Sequence, residues 1–290
     1  MQWGFRLQTG GNHQHRGTHM KDGLRSALLG AGLLLGLAGC TTLPGAVTGA
    51  VNDRRTEFVL TRHEGTTPVV FENGLGATLH YWAKVYPAIA QQQTAYAYNR
   101  PGYGRSAPPD TPRDGAHVTA ELHAALRAQG LTPPYVLVGH SLGGLYLQDY
   151  ARRYPDDVRA LVLVDSTHPR QMQGEGSPDH WPWWVRALFR GLMSATAKEE
   201  LAAVNRTGDD VLALPPLTGK TVIVLSATKP LADTSALGLD ANAKRRDIAR
   251  LYPGSRQIWV DSGHGIPLEK PEAVIDAVRA ALDGAVAPSP

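Results

Sequence analysis

The 290 residues carry 29 Lys and Arg against 26 Asp and Glu, a net charge of +3, with no basic stripe of the kind a nucleic-acid partner needs. No Cys/His cluster has metal-ligand spacing and no glycine-rich phosphate loop is present, so neither a metal nor a cofactor is expected. The length suits one α/β domain with a sizeable core, and 31 glycines and 21 prolines suit its many turns.

Residues 1–19 are polar, and Met20 is the more natural start, so 1–19 are expected to be a non-native or mis-called extension. Lys21 and Arg25 precede a nearly unbroken apolar stretch, Ala27 to Gly39. At about 13 residues it fits a signal-peptide core and is too short to span a bilayer. It ends Leu37-Ala38-Gly39-Cys40, which resembles a bacterial lipobox, and Cys40 is the only cysteine. Residues 20–39 are thus expected to be a lipoprotein signal peptide, with lipid on Cys40 anchoring the protein to a membrane on the exported side of the cell envelope. Residues 40–55, rich in Thr, Gly and Ala, are expected to form a flexible tether.

Strands are predicted at Glu57–Thr61 and Pro68–Phe71, a helix around Trp82–Gln92, a strand at Ala95–Tyr98 and a helix at Ala116–Gln129. The apolar run Tyr135–Val138 then leads into Gly139-His140-Ser141-Leu142-Gly143. A G-x-S-x-G sequence between a strand and a helix forces the serine onto a sharp turn that exposes its Oγ, with glycines where a Cβ would clash. The following helix ends at Tyr154-Pro155. Further strands are predicted at Ala160–Val164, Thr221–Leu225 and Gln257–Val260. Apolar strands alternating with helices predict a mostly parallel sheet covered on both faces. Residues 56–165 and 221–286 form the expected core.

Residues 166–220, about 55 in number, interrupt that alternation and are expected to form a helical cap inserted between two late strands. Trp181, Trp183 and Trp184, half of the six tryptophans, are candidates for an apolar substrate wall there. Among the histidines, His264 follows a late strand and precedes a helix, where a base would be delivered to Ser141. His140 lies within the turn itself and is expected to face away from the nucleophile. Lys244-Arg245-Arg246, the densest basic group, is expected to be a solvated helix face.

Six segments in order resemble the α/β-hydrolase family, the group of esterases, lipases and cofactor-free peroxidases. They are Phe71–Gly76, Tyr98–Ser106, the turn around Ser141, Tyr154–Val158, Leu161–Asp165 and Ser262-Gly263-His264. Two positions depart from many relatives: Asn73 stands where those carry His, and Asn99 where those carry Asp. With the lipobox supplying a membrane anchor, the resemblance implies a serine hydrolase that cleaves a small, hydrophobic carboxylic ester through an acyl-enzyme on Ser141, with His264 as base. It also implies an oxyanion site made by the backbone N–H groups of Leu75 and Leu142. The acid that orients His264 has two addresses, Asp165 at the end of its strand and Asp233 after the next, with Asp165 favoured. The same residues could serve cofactor-free perhydrolysis or C–C bond hydrolysis, and a non-catalytic binding lipoprotein is a further alternative. The oligomeric state has no signature in the chain.

Overall fold

The computed structural model describes residues 42–181 and 183–284, with the backbone only for Trp184, Val185, Leu188, Phe189 and Arg190. The expected extension, the signal peptide and Cys40 lie outside the described residues.

The first half of the chain contributes β1 (Val47–Val51), β2 (Arg54–Thr61), β3 (Val69–Glu72), α1 (Tyr86–Ala90), β4 (Ala95–Tyr98), α2 (Gly115–Ala128), β5 (Tyr135–His140), α3 (Leu142–Arg153) and β6 (Val158–Val164). An insertion with α4 (Trp183–Leu192), α5 (Ala195–Ala202) and α6 (Val204–Ala213) follows. The core resumes with β7 (Thr221–Ala227), α7 (Ala236–Asp247), β8 (Arg256–Val260), α8 (Ile266–Glu269) and α9 (Pro271–Asp283). The strands form one sheet in the order β1-β2-β4-β3-β5-β6-β7-β8. Only the β1–β2 and β2–β4 pairings are antiparallel. The others, from β4–β3 to β7–β8, are parallel.

Alternate residues of the central strands serve two cores, because side chains leave a strand on opposite faces. Val69, Phe71, Val136, Val138, Val162 and Val164 pack with Trp82, Tyr86 and the α9 residues Val274 and Val278. Val70, Leu137, Leu161 and Leu163 pack with Leu122 and Leu126 of α2 and Leu147 and Tyr150 of α3. Burial on both faces is why these strands read as continuous apolar runs rather than alternating ones. A third cluster joins Leu142, Leu145 and Tyr146 to Val204 and Val211 of α6, with Leu75 and Leu201 packed against it. The insertion is therefore seated on the N-terminal end of α3.

Two local expectations change. The helix expected over 82–92 is a 3-10 turn at Leu79–Trp82 and the short α1, whose start is set by Pro87 in its first turn. The tether expected over 40–55 is instead part of the folded body from Leu43 onward. Leu43 is 3% exposed and its N–H donates to His80 Nδ1 at 3.0 Å. β1 then pairs with β2 through the two-residue turn Asn52-Asp53, both at positive φ (51° and 58°). That is the backbone a tight hairpin needs, and Asn and Asp tolerate it. The small residues that suggested flexibility form the edge strand.

Leu43→Ala should lower the unfolding free energy by about 2–5 kcal/mol, the usual cost of a buried leucine. Urea denaturation checks this, since a residue in a free tether would leave the midpoint unmoved.

Candidate active site

Ser141 sits at φ 53°, ψ −123°, between the end of β5 and the start of α3. A non-glycine residue there stores about 1–3 kcal/mol, so the surroundings must hold it. They do so through the backbone: Ser141 N–H donates to Val164 O at 3.1 Å, and Thr167 N–H donates to Ser141 O at 3.0 Å. Neighbouring backbones come in too close for side chains. A Cβ on Gly143 would lie 2.5 Å from the carbonyl oxygens of both Glu72 and Asn73. One on Gly74 would lie 3.1 Å from Ser141 Cβ. The loop after β3, which carries Leu75, is thereby brought against the serine. Leu142 is the first residue of α3, so its N–H has no partner within the helix.

His264, on the loop after β8, has its Nδ1 2.7 Å from Asp165 Oδ2. A carboxylate only accepts, so Nδ1 carries a proton, which in the neutral ring leaves the lone pair on Nε2. Asp165 follows β6 directly, and its N–H donates to Leu225 O of β7 at 2.8 Å. Pairing of His140 with Val164 places Ser141 and Asp165 at corresponding ends of adjacent strands. Asp233, the other address for an acid, serves its own segment: Oδ1 accepts from Ser235 N–H at 2.9 Å, just before α7.

Arg245 is the participant that the sequence did not single out. Its Nε donates to Asp165 Oδ1 at 2.9 Å, and its Nη2 lies 3.4 Å from Oδ2. Asn242 Oδ1, one turn earlier, steadies Nη1 at 2.7 Å. Of the basic triplet Arg246 is exposed, as a solvated face would have it, but the other two are not free. Arg245 meets Asp165, and Lys244 binds Gln173 O and Asp240 Oδ2, each at 2.6 Å. Arg245 lies 80 residues from Asp165 in the chain, a separation for which a single sequence holds no pattern. Burial alone would raise the Asp165 carboxyl, but the bond from His264 and the charge of Arg245 outweigh it and hold it well below the usual carboxylate range.

His140 lies directly behind His264. Its Nε2–H donates to His264 O at 2.9 Å, and its ring stacks on Tyr81 with centroids 4.6 Å apart. Burial first, and the neighbouring His264 second, push its pKa down to about 3. It is a neutral strut that holds the backbone of the His264 loop.

The two departures from the family pattern have local explanations. Asn73 Nδ2 donates to Tyr98 O at 2.7 Å, turning its side chain toward the sheet. Asn99 Oδ1 accepts from Leu79 N–H at 2.6 Å while its Nδ2 donates to Glu57 Oε2 at 2.7 Å. An Asp at 99 would face Glu57 with a second carboxylate. Of the three candidate tryptophans, Trp181 is half-buried and Trp183 is 75% exposed, while the Trp184 side chain lies outside the described residues. Among the described residues, no group of three or more His, Cys, Asp or Glu is placed to hold a metal ion.

The family described as alpha/beta hydrolase fold matches residues 67–271. A pimeloyl-[acyl-carrier protein] methyl ester esterase of Chromobacterium violaceum is 32% identical over 236 residues, covering 75% of this chain and 87% of that protein. A (lyso)-N-acylphosphatidylethanolamine lipase of Mus musculus is 29% identical over 143 residues, which is 46% of this chain and 40% of that protein. The chain thus spans well under half the length of that lipase and its human and bovine counterparts. The solved enol-lactonase of Burkholderia xenovorans superposes with a TM-score of 0.61 over 82% of this chain and 100% of its own, at 22% identity, a likeness of fold.

The low pKa of His140 has a consequence for stability. An unfolded chain binds a proton at this residue near pH 6.5, and the folded one binds it only near pH 3. Stability from neutral His140 is therefore complete above about pH 6.5 and is lost as pH falls, at about 1.4 kcal/mol per pH unit. Urea unfolding from pH 6 to pH 4 should show a slope one proton shallower in His140→Gln. Parallel slopes would mean that His140 is protonated in the folded protein.

Proposed function

The chain belongs to the alpha/beta hydrolase fold family, and from that premise we propose that it is a serine hydrolase that cleaves carboxylic esters through an acyl-enzyme on Ser141. The observation that carries this reading is the contact of His264 Nδ1 with Asp165 Oδ2 at the sheet edge where Ser141 is held at positive φ. His264 Nε2 takes the Ser141 proton as Oγ attacks the ester carbonyl, then returns it to the leaving alcohol. Water, deprotonated by the same nitrogen, releases the acid. Negative charge on the tetrahedral intermediate is received by the N–H groups of Leu75 and Leu142, and each such donor is worth about 10²–10³ in rate. The relatives named esterase, lipase and lactonase support an acyl–oxygen bond as the one cleaved. The substrate is a hydrophobic small-molecule ester.

The proposal extends to the membrane. Lipid on Cys40 would anchor the enzyme to the exported side of a bacterial membrane, and only two residues separate Cys40 from the buried Leu43. At about 3.5 Å per residue, such an anchor would hold the folded body at His80 within about 11 Å of the bilayer surface. The neighbouring Tyr81 is the ring stacked on His140, so an anchored enzyme would work close to the lipid.

Ser141→Ala should lower kcat for nitrophenyl esters by about 10⁶, as removal of a triad nucleophile does. Asp165→Asn should lower it by up to about 10⁴ through the wrong His264 tautomer, and destabilise the fold by stripping Arg245 of its counter-ion. Asp233→Asn should leave kcat within a few-fold. Turnover that persists in Ser141→Ala would defeat the serine mechanism, and a large loss in Asp233→Asn would reassign the acid.

Cys40→Ser, expressed in a bacterium, should shift the protein from the membrane fraction to a soluble or unprocessed form and abolish labelling by a fatty-acid analogue. A processed mutant that still sediments with membranes would refute lipidation at this residue.

A further inference from the structure

Arg100 is buried, 1% exposed, and all five of its N–H donors are occupied. Nε and Nη2 bind the two carboxylate oxygens of Glu200 at 2.8 and 2.9 Å. Nη1 binds Glu72 Oε1 and the carbonyl of Asn73, the latter at 2.6 Å, and Nη2 also binds the carbonyl of Gly74 at 3.1 Å. Glu200 Oε2 accepts in addition from Tyr103 OH at 2.8 Å, and that same hydroxyl accepts from Gly76 N–H at 3.3 Å.

These bonds bracket Leu75. In a trans peptide the C=O and N–H point in opposite directions. With Gly74 C=O drawn toward Arg100, the N–H of Leu75 is turned the other way, and Gly74 itself lies against Ser141. Tyr103 fixes the next peptide through Gly76. One carboxylate stands behind both grips, and it comes from α5, in the insertion, 100 residues away from Arg100 in the chain. Its neighbour Leu201 joins the apolar cluster that includes Leu142 and Leu75.

We propose that Glu200 is a positioning residue for the oxyanion site, orienting the Leu75 N–H through Arg100 and Tyr103, so that the site is formed only while α5 is docked. The inference rests on the ester-hydrolase reading above. It couples the insertion to the chemical step itself, beyond any contact with the acyl chain. Binding a carboxylate in a bidentate pair is a two-position arrangement, made or broken, so docking of α5 and competence of Leu75 are linked.

The test compares wild type with Glu200→Gln and Tyr103→Phe, using a short nitrophenyl ester and an alkylboronic acid. The boronic acid forms a bond between boron and Ser141 Oγ, whose proton passes to His264, and its tetrahedral oxygen occupies the oxyanion position. Glu200→Gln should lower kcat by about tenfold or more, part of the 10²–10³ expected for outright loss of a donor, with KM nearly unchanged. Boronate affinity should fall by the same factor while the shape of the pH–rate profile stays in place. Tyr103→Phe, which keeps the Arg100–Glu200 pair and cuts only the Gly76 arm, should show a smaller loss of the same kind, and it decides the matter if Glu200→Gln does not fold. A lower Tm with wild-type kcat and boronate affinity in a folded variant would overturn the proposal and leave Glu200 as a mere clasp. A wild-type enzyme that neither turns over esters nor binds boronate would overturn the ester-hydrolase reading, and this proposal with it.

Discussion

A buried carboxylate organises the reactive edge of this molecule. Asp165 receives His264 Nδ1, the guanidinium of Arg245 and the N–H of Ala227, the last at 3.1 Å. A charge with 2% of its side chain exposed is tolerable only when so many donors surround it. Its backbone is equally constrained, at φ 38°, because Asp165 must leave β6 in the direction of the β8 loop. The tautomer of His264 and the placement of its ring beside Asp165 follow from this anchorage.

Two struts complete the geometry from behind. His140 is kept neutral by burial and holds the His264 backbone through a hydrogen bond that only a protonated Nε2 can make. Arg100 does the corresponding work on the opposite side, gripping the carbonyls of Asn73 and Gly74. In both cases a polar side chain is buried next to the site to orient backbone rather than to touch substrate. Such groups are costly to bury alone and become stable only when every donor is paired, as Arg100 achieves. The strained Ser141 is thus held by a surround of close backbone contacts, which keeps the nucleophile in one conformation.

Local sequence was sufficient wherever the cause was local. The strand–turn–helix around Ser141 is written in Gly139, Gly143 and the apolar run before them, because those positions admit no Cβ and the strand is buried on both faces. The end of α3 at Arg153 follows from Pro155, and α2 begins at the Asp114 cap, which accepts from His117 N–H at 3.2 Å. Misreadings arose where composition stood in for conformation. Residues 43–55 look flexible by their small side chains, yet the Asn52-Asp53 turn closes a hairpin, a signal that was present but outweighed by Thr, Gly and Ala.

What the chain determined by itself was the family, the mostly parallel sheet and the candidates Ser141 and His264, since these rest on short motifs in a fixed order and on strands alternating with helices along the chain. It also narrowed the partner of His264 to two carboxylates. Tertiary structure alone decided between their positions, because Asp165 and Asp233 both follow strands and differ only in which way the chain then bends. It alone brought Arg245 to Asp165 and Glu200 to Arg100, across 80 and 100 residues. Contacts between side chains so far apart depend on where whole elements pack, and no spacing rule within a single sequence carries that information.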